Sequence, residues 1–190
     1  MTKSAALPPS IFFDALGVWY ISAQGTAIRR QLDRRRGVIS LVRLLEDIAR
    51  NPDVATRERH LLAWGDPEDE LNRNEANANF DKFSGSSNRD EIDAAKARAD
   101  VQRLERVGDV VKGFVDETIA HTAEERRRDV PTFDHLNEAI DEVAYLVGKY
   151  TSLLEAAMIA QYEPVIQADW KAPFRQAWLV EPDPGQQPPG

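Results

Sequence analysis

The stretch PTFDHLNEAIDEVAYLVGKYTSLLEAA, residues 131–157, decides the fold class. Its apolar positions Leu136, Ala139, Ile140, Val143, Leu146, Val147, Tyr150, Leu153, Leu154 and Ala157 recur at the period of an amphipathic α-helix. Pro131 and Thr132 mark the start, because proline suits a first helical turn and a threonine oxygen accepts from the free N–H groups there. The pattern stops before Pro164. Glu138, Asp141 and Glu142 fall largely off the stripe and read as a solvated face. No alternating strand pattern and no internal repeat occurs elsewhere, so the chain is expected to be all-α.

Upstream, Val101, Leu104, Val107, Val111, Phe114 and Thr118 recur at the same period and predict a central helix. Asn88, with Glu91 three residues on, resembles a capping box that would launch it, and the helix is expected to run to His121. The first helix is expected to start at Ser10 after Pro8-Pro9, with Phe12, Leu16, Trp19, Ala23 and Ala27 as its inward line. Phe13, Gly17, Tyr20 and Ile28 lie beside that line, so the helix is apolar over most of its circumference, as in one buried between neighbours. Gly17 and Gly25 suit close approach of another backbone. Arg29, Arg30, Arg34, Arg35 and Arg36 follow, with Gly37 as the expected helix end. Ser40 caps a second helix with Leu41, Leu44, Leu45 and Ile48 inward, stopped at Asn51-Pro52. Thr56 opens a short third one that carries His60, read as a surface or half-buried group, and ends at Gly65.

Residues 66–87 are polar, with Leu71, Phe80 and Phe83 as anchors, and read as a mobile connector with a helical turn or two. Trp170, Phe174 and Trp178 form a short C-terminal amphipathic segment that covers the bundle or a partner chain. The resulting organisation is an N-terminal tail over residues 1–9, one helical domain over residues 10–180 and a disordered tail over residues 181–190.

With 190 residues, 42% of them hydrophobic, the chain can bury one core. A net charge of −8 argues against non-specific binding to nucleic acid or membranes by the whole molecule, though a local basic patch could still act. There is no cysteine, which removes disulfides, thiolate zinc sites and cysteine nucleophiles and suits a reducing, cytoplasmic setting. The apolar run from Ile11 to Ile28 is interrupted by Asp14, Gln24 and two serines and does not read as a signal or membrane segment. Glycine-rich phosphate loops, G-x-S-x-G and H-E-x-x-H are missing. Convergence of His60, His121 and His135 on a metal is not expected, and no cofactor is implied.

His121, beside Asp116 and Glu117, is the remaining candidate for chemistry. Its spacing continues the central stripe, so a core histidine satisfied by a neighbour is the plainer reading. A histidine followed by Arg126, Arg127 and Arg128 also has the parts for metal-free RNA cleavage, in which a near-neutral acid or base moves the 2′-OH proton and a cation stabilises the phosphate. The arginines near residue 35 have two readings too: cations completing a helix C-terminus, or a phosphate-contacting patch.

Asp116-Glu117-Thr118-Ile119-Ala120-His121, a charged turn, then Pro131-Thr132-Phe133-Asp134-His135-Leu136 through Lys149-Tyr150-Thr151-Ser152-Leu153-Leu154 resemble the HEPN superfamily, in particular its abortive-infection AbiU-type branch. The likeness is firmest over residues 109–154. It implies a HEPN-like up-and-down bundle of four to five helices, a homodimer formed through the motif helices, and metal-independent endoribonuclease activity in phage defence or a toxin–antitoxin stress response. Within the family pattern Asp116 matches the polar position, with Glu117 beside it, and His121 the histidine, while Val115 stands where an arginine is expected. Either the chain is catalytically silent and binds RNA or a partner, or another cation serves: Lys112, Arg126, Arg127, Arg128, or arginines of a paired protomer, with Arg34, Arg35 and Arg36 as a second RNA-contacting group. The rival reading is a non-enzymatic interaction or antitoxin-like protein in which His121 is structural and Trp170, Phe174 and Trp178 dock a partner.

Overall fold

In the computed structural model the described residues are 11–66, 68–120, 131–157 and 169. Their regular structure is helical: α1 (Ile11–Gln31), α2 (Leu41–Arg50), a 3-10 turn (Pro52–Val54), α3 (Arg57–Trp64), α4 (Glu70–Ser84), α5 (Ala94–Phe114) continued by a π-helical turn (Val115–Ala120), and α6 (Phe133–Glu155). The sole β contact among them is an isolated antiparallel bridge between Thr56 and Glu91. The chain is an all-α helical bundle, as the periodicity of residues 131–157 predicts. Contacts divide it into two units, Met1–Ile159 and Ala160–Gly190. The segment with Trp170, Phe174 and Trp178 belongs to the second unit and lies outside the described residues, as do His121, Arg126, Arg127, Arg128 and the Ser10 cap.

Helix α5 is the centre of the first unit and packs against α1, α2 and α6, while α3 packs against α4 and α6. Val42 and Leu45 of α2, Leu104 and Val111 of α5, and Leu136 and Leu146 of α6 are essentially inaccessible to solvent. Their burial is the main term holding the helices together, at about 1.5–3 kcal/mol for each large side chain. Helix α6 begins where expected. Thr132 accepts from the His135 amide at 3.3 Å and His135 Nδ1 accepts from the Thr132 amide at 3.1 Å, a capping box in which histidine takes the usual glutamate position.

Two junctions depart from expectation. Residues 66–87 are largely helix α4 rather than a connector. Asp69 accepts from the Leu71 amide at 2.9 Å to start it, Gly85 ends it at φ +78°, and Ala76, Phe80 and Phe83 bury one face. Arg57 ties that helix to α3, donating to Asn77 at 2.9 Å and Asp81 at 2.7 Å, with its guanidinium 4.8 Å from the Phe80 ring centre. The central helix starts at Asp93, not Asn88, because the carbonyls of Arg89 and Asp90 are taken by Arg57 and Ile92 is buried.

His60 is buried, not on the surface: Nδ1 donates to the Leu153 carbonyl at 2.9 Å, and the ring lies between Trp64 and Phe80. Thus its Nε2 is buried without a hydrogen-bond partner among the described residues.

Helix α1 turns a different face to the core than its spacing suggests. Gly25, Ile28 and Leu32 are buried, whereas Leu16, Trp19, Ala23 and Ala27 of the expected inward line are exposed, as is Phe12. Leu44 of α2 is likewise exposed. The helix ends at Gln31, so Gly37 (φ +84°) serves a separate turn, not the helix end. The contact face of α1 is chosen by two glycines at its crossing with α5. A Cβ on Gly25 would sit 2.9 Å from Val115 Cγ2, and one on Gly108 would overlap the Leu32 side chain. Gly17 has open space instead.

Gly25→Ala and Gly108→Ala are therefore expected to lower stability by about 1–3 kcal/mol each through overpacking. Gly17→Ala is expected to raise it by up to about 1 kcal/mol, since alanine favours the helix and meets nothing. Urea unfolding of the three variants checks this, and a common response would contradict the crossing geometry.

Candidate functional site

The candidate motif begins where α5 changes pitch. The backbone is α-helical to Phe114 and then forms the π-turn Val115–Ala120, with its widened hydrogen-bond register. The 3.6-residue period therefore cannot be carried past Val115. Thr118, expected on the inward stripe, is exposed. Such turns inside helices frequently occur at functional sites.

Val115, at the position where the family resemblance places an arginine, is 2% exposed and packed against Gly25 of α1. Its role is to fill the crossing. A guanidinium nevertheless reaches the motif, from a helix far away in sequence: Arg29 of α1 donates through Nε to Asp116 in a short ion pair. Lys112, one turn earlier on α5, donates to the other oxygen of the same carboxylate at 2.9 Å. Desolvation works to raise the Asp116 carboxyl, but the bonds from Arg29 and Lys112 outweigh it and hold it below the usual carboxylate range.

A second carboxylate completes the cluster. Asp33 lies 3.7 Å from Arg29 and accepts from Arg35 at 2.6 Å through Nη2 and at 2.9 Å from the Arg35 amide. The Arg35 side-chain bonds come first among the causes that bring its carboxyl down to about 2. Reciprocally, the bonds to Asp33 raise the Arg35 guanidinium, and the charge of Asp116 adds to that. Arg29, Arg30, Arg35 and Thr26 line a depression of about 530 Å³ over this cluster. Among the described residues Arg29, Arg30, Arg35 and Lys112 stand near Asp33 and Asp116, with Glu117 next to Asp116 in sequence, a slight local cationic excess on a protein whose net charge is −8.

The residues singled out from sequence divide clearly. Asp116 and Lys112 come together, and Arg35 joins them through Asp33. Arg34 turns elsewhere, bonded to Glu46 at 2.6 Å and to Glu105 in a short ion pair, and those bonds raise its guanidinium further. Arg36 is exposed and, with Arg30, has no carboxylate partner among the described residues. Glu117 is half-buried on the π-turn. By its place in the sequence Arg29 reads either as a helix-capping cation or as part of a phosphate-contacting arginine group, and neither reading pairs it with Asp116. The signal for its role was the unmatched Asp116, which needs a cation once the adjacent residue is valine.

A second polar cluster ties α5 to α6. Buried Asp100 accepts from Lys149 at 2.5 Å and from the Tyr150 hydroxyl at 2.8 Å, and burial together with Asp100 pushes the Tyr150 hydroxyl far above its usual value. Its donors are consumed within the fold. No group of histidine, cysteine and acidic side chains among the described residues is arranged to hold a metal ion. No helix among them is long and apolar enough to cross a membrane. No family model, no curated protein and no solved structure matches the chain.

Asp33 and Asp116 have lower pKa values folded than unfolded, so they stabilise the fold above the ordinary aspartate pKa near ~3.9. That contribution is expected to be lost as the pH falls through the folded values, towards about 2 for Asp33. Urea midpoints measured from about pH 6 to about pH 2 should fall, and fall less steeply in Asp33→Asn/Asp116→Asn. Parallel profiles for the two proteins would contradict the ion-pair assignment.

Proposed function

We propose that the chain is a HEPN-like RNA-binding protein whose metal-independent endoribonuclease chemistry is weakened, as a phage-defence or stress-response factor of the toxin–antitoxin kind would allow. The observation that carries this reading is the delivery of Arg29 to Asp116, supplying from α1 the cation that Val115 does not. RNA phosphates bind where cations exceed carboxylates, and the Arg29, Arg30, Arg35 and Lys112 cluster meets that condition. His121 is one residue beyond the π-turn and in this reading moves the 2′-OH proton, while a guanidinium stabilises charge on the phosphate oxygens. Arg29 must share its donors between Asp116 and the phosphate. That competition is the physical reason for a reduced rate.

A second reading has its own support. Arg34, Arg35, Arg29 and Lys112 all hold carboxylates already, which suits a non-catalytic interaction or antitoxin-like protein whose cations are structural. The two readings diverge in salt dependence.

Affinity for single-stranded RNA should fall steeply with salt, and Arg30→Ala and Arg29→Ala should each flatten the log–log slope by about 0.7, the loss of one phosphate contact. Arg34→Ala should leave it unchanged. His121→Ala should abolish cleavage while preserving binding. Absence of binding at low salt would overturn the RNA reading, and cleavage persisting in His121→Ala would overturn the catalytic role.

A further inference from the structure

Helix α1 carries an apolar surface that the bundle does not use, and that surface has two unlike halves. Towards the N-terminal end large side chains stand out: Trp19 is 63% exposed, Leu16 37% and Tyr20 40%, with Tyr20 resting 5.8 Å from the ring of Phe133, itself exposed. Towards the C-terminal end of the same face the residues are small, Ala23, Thr26 and Ala27, and all three are exposed. They floor a groove of about 760 Å³ whose walls include Ile39, Leu44 and Val147. Ile39 is 94% exposed, and Leu44 is exposed beside it. One helix face therefore holds both a projection and a recess.

We infer that this face pairs with a second copy of the chain, two α1 helices crossing antiparallel about a two-fold axis near residue 21, with each Trp19 seated in the other's groove. An isologous interface must be complementary to itself, which a uniformly bulky or uniformly flat face is not. Here the register supplies the match. An antiparallel pair centred near residue 21 sets Trp19 against Ala23 and Leu16 against Thr26 and Ala27 of the other copy, large against small at both ends. A long apolar side chain meets a recess twice for each pairing event.

The area fits the same occupant. Trp19, Leu16, Tyr20, Phe133, Ile39 and Leu44 together expose on the order of 600 Å², at the upper limit of the patches that soluble monomers leave open. A standard interface covers roughly 800 Å² on each protomer, which the surrounding rim would complete. An indole entering a pocket at the centre of the interface is the type of contact that dominates such associations. The pairing surface uses α1 and not the motif helix; its groove shares Thr26, Arg30 and Ile39 with the depression over the Arg29–Asp116 cluster, so pairing covers part of that depression.

Sedimentation velocity of the full chain tests the pairing. A dimer is expected at micromolar concentrations, with Trp19→Ala and Ala27→Glu each raising the dissociation constant at least ~10-fold while leaving the helical circular dichroism intact. Ala27 is an exposed position, so its variant reports on the interface even if Trp19→Ala disturbs folding. Because the chain has no cysteine, Ala23→Cys also provides a unique attachment point. A short bifunctional maleimide should join two Ala23→Cys chains and not two Leu62→Cys chains. A monomer at all concentrations, a dimer indifferent to both α1 variants, or equal cross-linking from the two cysteine positions would each overturn the inference. A monomer in which Trp19 is shielded from a collisional quencher would assign the groove to the chain's own segment of Trp170, Phe174 and Trp178 instead.

Discussion

The close crossing of α1 over the end of α5 is the constraint on which the other features depend. Gly25 lets α1 approach Val115, and Gly108 admits Leu32, the residue that follows α1, on the same side of α5. Only at that separation can Arg29, on the turn of α1 after Gly25, extend to Asp116. Packing and electrostatics are thus coupled. A bulkier residue at either glycine would displace the helix that carries the cation, and a cationic residue in place of Val115 would meet α1 at the crossing.

This coupling accounts for the form of the site. A motif with its arginine on the same helix as the histidine has both groups placed by one backbone. In this chain the helix-borne position is apolar and buried, and the cation arrives from a second element. The π-turn adds a local change of register directly before His121. A site assembled from two helices is held by tertiary packing, and its guanidinium is already engaged by a carboxylate.

Legibility of the fold followed the strength of local signals. Helix α6 was readable to its first residue because Pro131, Thr132 and a long stripe agree, and α2 because Ser40 and Asn51-Pro52 bracket it. Helix α4 was hidden, since its buried face has only Ala76, Phe80 and Phe83 as apolar residues, with Ser84 beside them, and most of the rest of it is polar. Its Asp69 and Gly85 caps were the available signs. Periodicity established that α1 is a helix but not which side packs, because large apolar residues occur on both sides. The ion pair of Arg29 with Asp116 spans 87 residues, and no local pattern reports a contact of that range. Asp116 was singled out by the family resemblance and Lys112 by its place one turn before Val115; neither signal reported that the two bond to each other. Arg29 became legible as a site residue only through the crossing.

The claim that Arg29 is the cation of the Asp116 position is tested most directly by a double-mutant cycle on folding stability. With both side chains about 30% exposed, the pair should behave better than a surface salt bridge, and Arg29→Ala and Asp116→Ala should show a coupling energy of about 1 kcal/mol. Single-variant effects that add to within about 0.3 kcal/mol would mean that the two groups do not interact in solution, and the assignment of the site would fall.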